Sequence, residues 1–216
     1  MSFISSLMDL LFPPKCAFCR KILAISDDAW CSVCSETLPF TLNSGRQEGE
    51  FYDFCISPLY YKDAVRKSML RYKFRGASAY ADVYGKILAD CIRENPDLNY
   101  DVISWVPLSS NRKRSRGYDQ AMLLALATAL QLGDVAAETL KKPHDVKAQS
   151  ELSGIEERNA NISGAYEVTD PELIDGKTVL LIDDIVTTGS KLSECAKVLL
   201  SAGARRVVCA SLARGE

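Results

Sequence analysis

The sequence contains a single histidine, His144, among its 216 residues. No cluster of ligating residues surrounds it, so we expect a surface residue rather than a metal ligand or a catalytic base. Apolar runs of membrane-spanning length are also absent, which argues against membrane insertion. The net charge of −2 neither requires nor excludes a polyanionic partner, so the local distribution of charge has to decide that question.

The first twelve residues lack the marks of a secretion signal. They have no basic leading region and no small-residue cleavage site, and they contain Asp9. Phe3, Leu7 and Leu11 recur at helical spacing, and Pro13 follows them, which predicts a short amphipathic helix that ends at the proline. We therefore expect a cytoplasmic protein.

Four of the eight cysteines form two Cys-x-x-Cys pairs. They are Cys16, Cys19, Cys31 and Cys34. Each pair places two thiolates on one side of a metal, so the quartet predicts a closed tetrahedral Zn²⁺ site of the structural type. A redox dithiol and chance spacing are the alternatives. The other four cysteines stand singly among apolar residues, and we expect them in the core.

A polar stretch with two glycines, residues 43–50, divides the chain. The part before it has few large apolar residues and needs a metal to fold. We predict an amphipathic helix and a four-cysteine zinc ribbon in residues 1–45, and one larger domain in residues 46–216. The composition, 47% apolar and 25% charged, is that of an ordinary globular protein.

Strand and helix patterns alternate after residue 54. We predict strands at 55–61, 101–108, 164–168, 178–182 and 206–212, and helices at 64–74, 79–94, 120–132 and 192–202. Such alternation is typical of an α/β fold with a mostly parallel sheet, where ligands bind at the carboxyl ends of the strands. The long polar stretch 141–161 is expected to form a lid or a binding loop.

The most informative run is 178–190, in which an apolar strand leads into two carboxylates and a small-residue turn. Asp183 and Asp184 are suited to accept hydrogen bonds from two vicinal hydroxyls. Backbone N–H groups of the turn and of the following helix N-terminus are suited to hold a phosphate. The alternative is a buried strand followed by a helix that Thr188 or Ser190 caps. We favour the phosphate interpretation, because this combination is uncommon at a strand end.

A basic loop is predicted after the second strand. It contains Arg112, Lys113, Arg114 and Arg116. Guanidinium groups match phosphoryl oxygens, so a loop of this kind beside the 183–190 turn is suited to a diphosphate. A solvated loop is the alternative.

A second basic concentration lies at 62–75, where tyrosines and a phenylalanine are interleaved with the charges. Its candidate contacts are Arg66, Arg71, Lys73 and Arg75. Basic groups beside exposed aromatic rings are typical of single-stranded nucleic-acid binding. An amphipathic helix with a solvated charged face explains the pattern equally well.

Several segments together resemble one family. They are the two cysteine pairs, Val106-Pro-Leu, the run 116–121, Gln149-x-x-Leu, Glu157-Arg-x-x-Asn, Gly164-Ala-Tyr and the run 181–189. In this order they are similar to the ComF-type, competence-associated phosphoribosyltransferase-like family. The resemblance implies a type I phosphoribosyltransferase fold with an N-terminal zinc ribbon. It also implies binding of phosphoribosyl pyrophosphate with Mg²⁺, and a link to the uptake of transforming single-stranded DNA.

The resemblance also implies roles for individual residues. The 5′-phosphate is expected to bind Thr187, Thr188, Gly189 and Ser190. The ribose hydroxyls are expected to bind Asp183 and Asp184. The pyrophosphate is expected to bind Ser109, with Arg112, Arg114 or Arg116 as cations. Mg²⁺ bridges ribose and pyrophosphate oxygens. Two positions depart from the pattern. Asp119 stands where asparagine is more usual, and Lys191 stands where threonine or a small residue is usual.

We therefore predict a cytosolic protein that binds phosphoribosyl pyrophosphate and acts, with DNA-uptake proteins, in the uptake of single-stranded DNA. One alternative is a salvage-type phosphoribosyltransferase that acts on a free purine or pyrimidine base. The other is a non-enzymatic adaptor that binds single-stranded DNA. Purine-salvage relatives place an acid near Thr187, where this chain has a hydroxyl, so the sequence assigns no general base and no acceptor.

Overall fold

The computed structural model of the protein describes residues 13–24, 30–142 and 165–216. The amphipathic helix predicted at 1–12 lies outside the described residues. So does His144, with all but the first two residues of the stretch 141–161. The division of the chain at residue 45 stays a prediction.

The described chain begins with the cysteine-rich segment and continues into an alternating α/β arrangement. Its helices are α1 (Ser32–Thr37), α2 (Asp63–Phe74), α3 (Tyr80–Arg93), α4 (Ser110–Arg116), α5 (Gln120–Leu132) and α6 (Ser190–Ser201), with short 3-10 turns at Leu42–Gly45 and Pro171–Leu173. Its strands are β1 (Cys55–Ile56), β2 (Leu59–Tyr60), β3 (Val102–Trp105), β4 (Leu140–Lys141), β5 (Glu167–Val168), β6 (Thr178–Val186) and β7 (Arg206–Arg214).

Five of these strands form one parallel sheet in the order β1-β7-β6-β3, with β2 also paired to β7. Ile182 on β6 lies between Trp105 on β3 and Ala210 on β7. Because all the strands run the same way, their carboxyl ends meet at one edge of the sheet. The predicted α/β fold with a mostly parallel sheet is confirmed.

The strand predicted at 101–108 is shorter, Val102–Trp105, and the one predicted at 206–212 is longer, Arg206–Arg214. The other three predicted strands also differ from the observed ones. The strand expected at 55–61 is interrupted at Ser57 and Pro58, since proline has no N–H to donate to β7, and it appears as β1 and β2. Residues 167–168 pair with β4 in a separate antiparallel ribbon rather than with the main sheet. Strand β6 runs four residues further than predicted, because Ile185 and Val186 still pair with β7.

The side chains of β6 alternate between two cores. Leu180 and Ile182 lie in the cluster beneath α2, α3 and α5, whereas Val179 and Leu181 lie in the cluster beneath α6. Successive side chains of a strand point to opposite faces, so this alternation is the expected consequence of a sheet covered on both sides. It also determines which helix each residue at the end of β6 faces.

Helices α3 and α5 pack closely because α3 carries a glycine at the crossing. A Cβ atom built on Gly85 would lie 2.7 Å from the backbone carbon of Ala127. Helix α5 begins at Asp119, whose Oδ1 accepts a bond of 3.2 Å from the Met122 N–H, and ends at Gly133 in the left-handed conformation. None of the helices in the described ranges combines the length and apolar content needed to cross a bilayer.

Candidate functional site

The four predicted zinc ligands lie together at the N-terminal end of the described chain. Their Sγ atoms are all within 4.8 Å of one another, and the pairs Cys16–Cys34 and Cys19–Cys31 are each 3.6 Å apart. Tetrahedral thiolates at a Zn–S distance of about 2.3 Å lie about 3.8 Å from each other, so the cluster fits a structural zinc ion.

The backbone favours a thiolate at Cys16, whereas burial and the neighbouring thiols raise the pKa of Cys19 and of Cys34. Burial acts to raise the pKa of Cys16, but backbone hydrogen bonds from Cys19 and Cys31 outweigh it and lower the pKa to about 7. A metal-binding cysteine has to be deprotonated, so the backbone at Cys16 suits a metal ligand.

The first cysteine pair is fixed onto helix α2. Arg71 donates from Nη2 to the carbonyls of Ala17 at 2.8 Å and Phe18 at 2.7 Å, and Ser68 Oγ donates to Ala17 at 2.5 Å. Phe18 is buried against Tyr84, with the ring centroids 6.0 Å apart. The zinc segment therefore shares its core with the larger α/β part.

The two predicted carboxylates lie on opposite faces of β6, near its carboxyl end. Asp184 faces α2, where its Oδ2 accepts an ion-paired bond of 2.7 Å from Lys73 Nζ. Asp183 faces α6, where its Oδ2 accepts a bond of 2.5 Å from Lys191 Nζ. Both carboxylates are buried, with side-chain exposures of 5% for Asp183 and 8% for Asp184. Each acid therefore has its own lysine, supplied by the helix on its side of the sheet.

Burial and the two lysines set the pKa values of this pair. Burial raises the pKa of Asp183, and the neighbouring Asp184 adds to the effect, while Lys191 opposes it. Burial also acts to raise the pKa of Asp184, but Lys73 and Lys191 outweigh it and lower the pKa. Desolvation acts to lower the pKa of Lys191, whereas both carboxylates raise it, and the net direction is upward. The group is a compact network of two anions and two cations.

The predicted phosphate turn forms a small concavity directly after β6. Gly189 is the N-cap of α6, has a φ of 77° and offers no side chain to the amides of the first turn. The Ser190 N–H donates over 3.4 Å to Thr188 Oγ1, a long bond that leaves the N–H able to donate to a better acceptor. A cavity of about 70 Å³ lies within the turn and includes Asp183, Lys191 and all of Thr187, Thr188, Gly189 and Ser190 in its walls.

The back of the turn is covered by the segment that precedes β1. A Cβ atom on Gly189 would lie 2.4 Å from the hydroxyl oxygen of Tyr52, which is buried. No sequence pattern indicates this contact, because the two residues are far apart in the chain and Tyr52 belongs to no local motif. Beyond it, a cleft of about 810 Å³ has an acidic rim that includes Glu48, Glu50 and Glu194.

The loop after β3 places Ser109, one of the residues predicted to bind the ligand, at the same edge of the sheet. Ser109 is 4% exposed, and its Oγ has no hydrogen-bond partner. In the described part of the chain, Arg71 Nε is the other buried side-chain atom without one. An unpaired buried hydroxyl is costly in a native fold, so Ser109 Oγ is a position where a ligand would be stabilising.

The predicted basic loop is a helix, α4, rather than an irregular segment. Ser109 and Gly117 bracket it as N-cap and C-cap. Arg112 and Arg114 are exposed on it. Arg116 instead donates to Gln120 Oε1 at 2.8 Å, and its guanidinium lies 5.0 Å from the ring centre of Phe74.

The four basic residues predicted to bind nucleic acid do not share one free face. Arg71 holds the zinc segment and Lys73 pairs with Asp184, whereas Arg66 and Arg75 are exposed. Tyr72, one of the interleaved aromatics, is fully buried and donates its hydroxyl to the Gln120 carbonyl at 2.8 Å. Half of the predicted set therefore has a structural partner inside the fold.

Comparison with known proteins gives matches to both parts of the chain. A family model described as "Phosphoribosyl transferase domain" matches residues 115–216, and one described as "Double zinc ribbon domain" matches residues 7–46. The chain is 30% identical over 220 residues to "DNA utilization protein YhgH" of Salmonella typhimurium, which covers 92% of this chain and 96% of that protein.

Two further similarities are partial. The chain is 32% identical over 154 residues to "Competence protein ComFC" of Streptococcus pneumoniae, and this match spans 71% of the chain but 65% of the relative's length, slightly under two thirds. A solved structure of the allosteric regulatory enzyme of purine biosynthesis superposes with a TM-score of 0.47 at 19% identity, over 66% of this chain and 29% of that one.

Proposed function

Since this chain belongs to the ComF-type family of phosphoribosyltransferase-like proteins, we propose that it binds phosphoribosyl pyrophosphate at the carboxyl end of β6. The observation that carries the proposal is the 70 Å³ concavity, in which Asp183 and the turn from Thr187 to Ser190 line one space. A phosphate needs amide donors and a positive helix end, and a diol needs carboxylate acceptors. The concavity offers both chemistries side by side.

In this proposal the 5′-phosphate lies on the amides of the turn that ends at Ser190. The ribose hydroxyls donate to Asp183, which lines the concavity, and to Asp184, which lies outside it on the other face of β6. The pyrophosphate extends towards the loop after β3, where it gives the buried Ser109 Oγ a partner. The exposed Arg112 and Arg114, with Arg116, supply the positive charge around it.

Mg²⁺ is proposed to arrive with the ligand. Carboxylates are the protein groups that most often coordinate Mg²⁺, so Asp183 and Asp184 are suitable side chains for this ion. Their Oδ2 atoms accept from lysine ammonium groups, however, so in the described structure the acids are already neutralised. Pyrophosphate oxygens and water would then provide most of the coordination shell.

The proposed biological setting is the cytoplasm, in the handling of single-stranded DNA during uptake. The names of the relatives, a competence protein and a DNA utilization protein, support this setting. Among the described residues that line the turn, the carboxylate is Asp183, which is already paired with Lys191. We therefore propose binding and leave the transfer of ribose phosphate to a free base as the alternative. Release of pyrophosphate in the presence of common bases would establish that alternative.

Calorimetry with phosphoribosyl pyrophosphate, with and without Mg²⁺, tests the proposal. We expect saturable binding to the wild-type protein and none to the double variant Asp183→Asn, Asp184→Asn. The matched control is Asp97→Asn, which removes an exposed carboxylate that pairs with Arg46 and does not line the concavity. Equal binding by the wild type and the double variant, with the fold intact by circular dichroism, would contradict the proposal.

A second candidate function, binding of single-stranded DNA, rests on the contact between α2 and α4. Phe74 is 64% exposed and lies beside Arg116, and the exposed Arg75 follows it. An exposed ring among guanidinium groups is suited to stack a base and hold its phosphates. This surface differs from the predicted one, because Arg71 and Lys73 are replaced by residues of α4.

Salt-dependent binding to a short oligonucleotide tests this second function. Charge reversal at Arg112 and Arg114 should flatten the dependence of affinity on salt, and Phe74→Ala should weaken binding by about 1–3 kcal/mol. Phe40→Ala is the control, since Phe40 is 48% exposed and its backbone is bridged to Leu59 of β2. Unchanged affinity in both α4 and Phe74 variants would exclude this surface.

A further inference from the structure

Lys191 lies between the two parts of the proposed site, the phosphate turn and the carboxylate of Asp183. It belongs to the first turn of α6 and lines the 70 Å³ concavity together with the phosphate turn. Its ammonium nonetheless lies 2.5 Å from Oδ2 of Asp183, the acid that is proposed to hold a ribose hydroxyl. The same lysine thus lies beside the proposed phosphate site and also occupies the Asp183 oxygen that is proposed to bind a ribose hydroxyl.

The two lysines of the network differ in how tightly they are held. Lys73 is 17% exposed and lies between α2 and the sheet, so its pair with Asp184 is enclosed. The side chain of Lys191 is 54% exposed, while its partner Asp183 is 5% exposed. A lysine ammonium is a point charge with three donors on a flexible stem, so Lys191 is free to turn towards solvent or towards a nearby anion.

The buried Asp183 needs a cation only while no ligand is present. A buried carboxylate left without a partner is strongly destabilising, which explains why Lys191 lies on it. A phosphate in the concavity would be a second, dianionic partner for the same ammonium. Its arrival therefore competes with Asp183 for Lys191, and a ligand hydroxyl can then donate to the freed oxygen.

We propose that Lys191 is a displaceable counter-ion that couples recognition of a phosphate to recognition of a sugar hydroxyl. This inference rests on the proposed function and concerns its specificity. A sugar without phosphate has to displace the ammonium from Asp183 unaided, whereas a phosphate moves the ammonium away first. The site therefore selects molecules that carry both groups, a pentose 5-phosphate, over a free pentose.

The coupling is measured as a linkage between two separate probes, inorganic phosphate and free ribose, in a metal-free buffer. Ribose affinity is determined by calorimetry with and without saturating phosphate. In the wild type, phosphate should raise ribose affinity about fivefold or more, within the usual range for coupled sites. In Lys191→Met, phosphate should leave ribose affinity unchanged or lower it, because the phosphate then only repels Asp183.

Two variants control for structural damage. Lys191→Arg keeps the charge and should retain the positive coupling. Lys197→Met removes a lysine from the same helix that lies over the Phe51 ring, 5.3 Å from its centre, and it should also leave the coupling intact. Circular dichroism and the urea midpoint show whether Lys191→Met is folded.

The outcomes separate this inference from the function on which it rests. Equal positive coupling in the wild type and Lys191→Met would overturn the role of Lys191. If phosphoribosyl pyrophosphate still bound, the proposed function would survive that result. Failure of the wild type to bind phosphoribosyl pyrophosphate would instead contradict the proposed function, and this inference with it.

Discussion

Lys73 Nζ lies 2.7 Å from Asp184 Oδ2 and joins helix α2 to the carboxyl end of β6. Both side chains are largely buried, and the same helix holds the zinc segment through Arg71 a little earlier in its sequence. Helix α2 is therefore the element that connects the zinc segment to the carboxylate pair.

Loss of Lys73 should destabilise the fold strongly. Lys73→Met leaves Asp184 buried without a cation, and removing one partner of a buried pair costs about 3–5 kcal/mol. The double variant Lys73→Met, Asp184→Leu should recover most of that loss, because it removes the unpaired charge as well. Urea unfolding measures the free energies.

Lys62→Met is the control for this prediction, since its partner Glu216 is exposed and the pair should contribute little. A similar loss of stability in Lys62→Met and Lys73→Met would show that the burial of the Lys73 pair has no special effect.

Zinc removal should unfold the cysteine-rich segment. Binding of a structural metal is coupled to folding, so Cys16→Ser should lose the metal and expose Phe18. We expect about one zinc ion per wild-type chain and none in the variant by elemental mass spectrometry. Cys91→Ser alters a buried cysteine of α3 that is outside the cluster, and it should keep its zinc. Retention of the metal by Cys16→Ser would contradict the assignment.

The predictable parts of the structure were those that local patterns encode. The spacing of the cysteine pairs is sufficient to predict that the four residues cluster, because each Cys-x-x-Cys turn places its two thiol groups on the same side. The apolar run before Asp183 is sufficient to predict a buried strand and the turn that follows it. Helix α4 was missed, although Ser109 before it and Gly117 after it are ordinary helix start and stop signals.

The unpredicted parts depend on contacts between distant segments. Lys73 looked like one member of a basic stretch, and only the packing of α2 on the sheet brings it to Asp184. The placement of Asp183 and Asp184 on opposite faces follows from the continuation of β6 to Val186, which the apolar pattern did not include. Tyr52 behind Gly189 has no sequence signal of any kind.

Gly189→Ala should abolish binding of ribose 5-phosphate. Its φ of 77° is strained for alanine, and the new Cβ would lie 2.4 Å from the hydroxyl oxygen of Tyr52, so the turn has to move. Gly133→Ala is a matched control, because its φ is 75° and nothing lies within 4 Å of the new Cβ. Both variants should lose about 1–3 kcal/mol of stability, and only the first should lose the ligand in calorimetry.

Tight ribose 5-phosphate binding by Gly189→Ala would show that the turn geometry is not what holds the phosphate. Loss of binding in Gly133→Ala as well would show that the effect is general destabilisation rather than a local change.

The stability of the fold should decline above about pH 10, the ordinary pKa of tyrosine. Burial raises the pKa of Tyr84, so the folded protein keeps a phenolic proton that the unfolded chain releases. A raised pKa contributes stability that is complete below the unfolded pKa and is lost as the pH rises. The expected slope from this group is about 1.4 kcal/mol per pH unit above the unfolded pKa.

Urea unfolding at a series of alkaline pH values measures this slope in the wild type and in Tyr84→Phe. The variant should show a shallower decline, because it has one fewer group to ionise. Parallel declines in the two proteins would show that Tyr84 does not set the alkaline limit.

The most direct test of the central claim is a crystal structure with ribose 5-phosphate bound. We expect phosphate density against the amides between Thr188 and Ser190, with the sugar hydroxyls on Asp183 and Asp184 and the Lys191 ammonium turned away from Asp183. A fully occupied ligand bound elsewhere, with the turn empty and Lys191 still paired to Asp183, would contradict it.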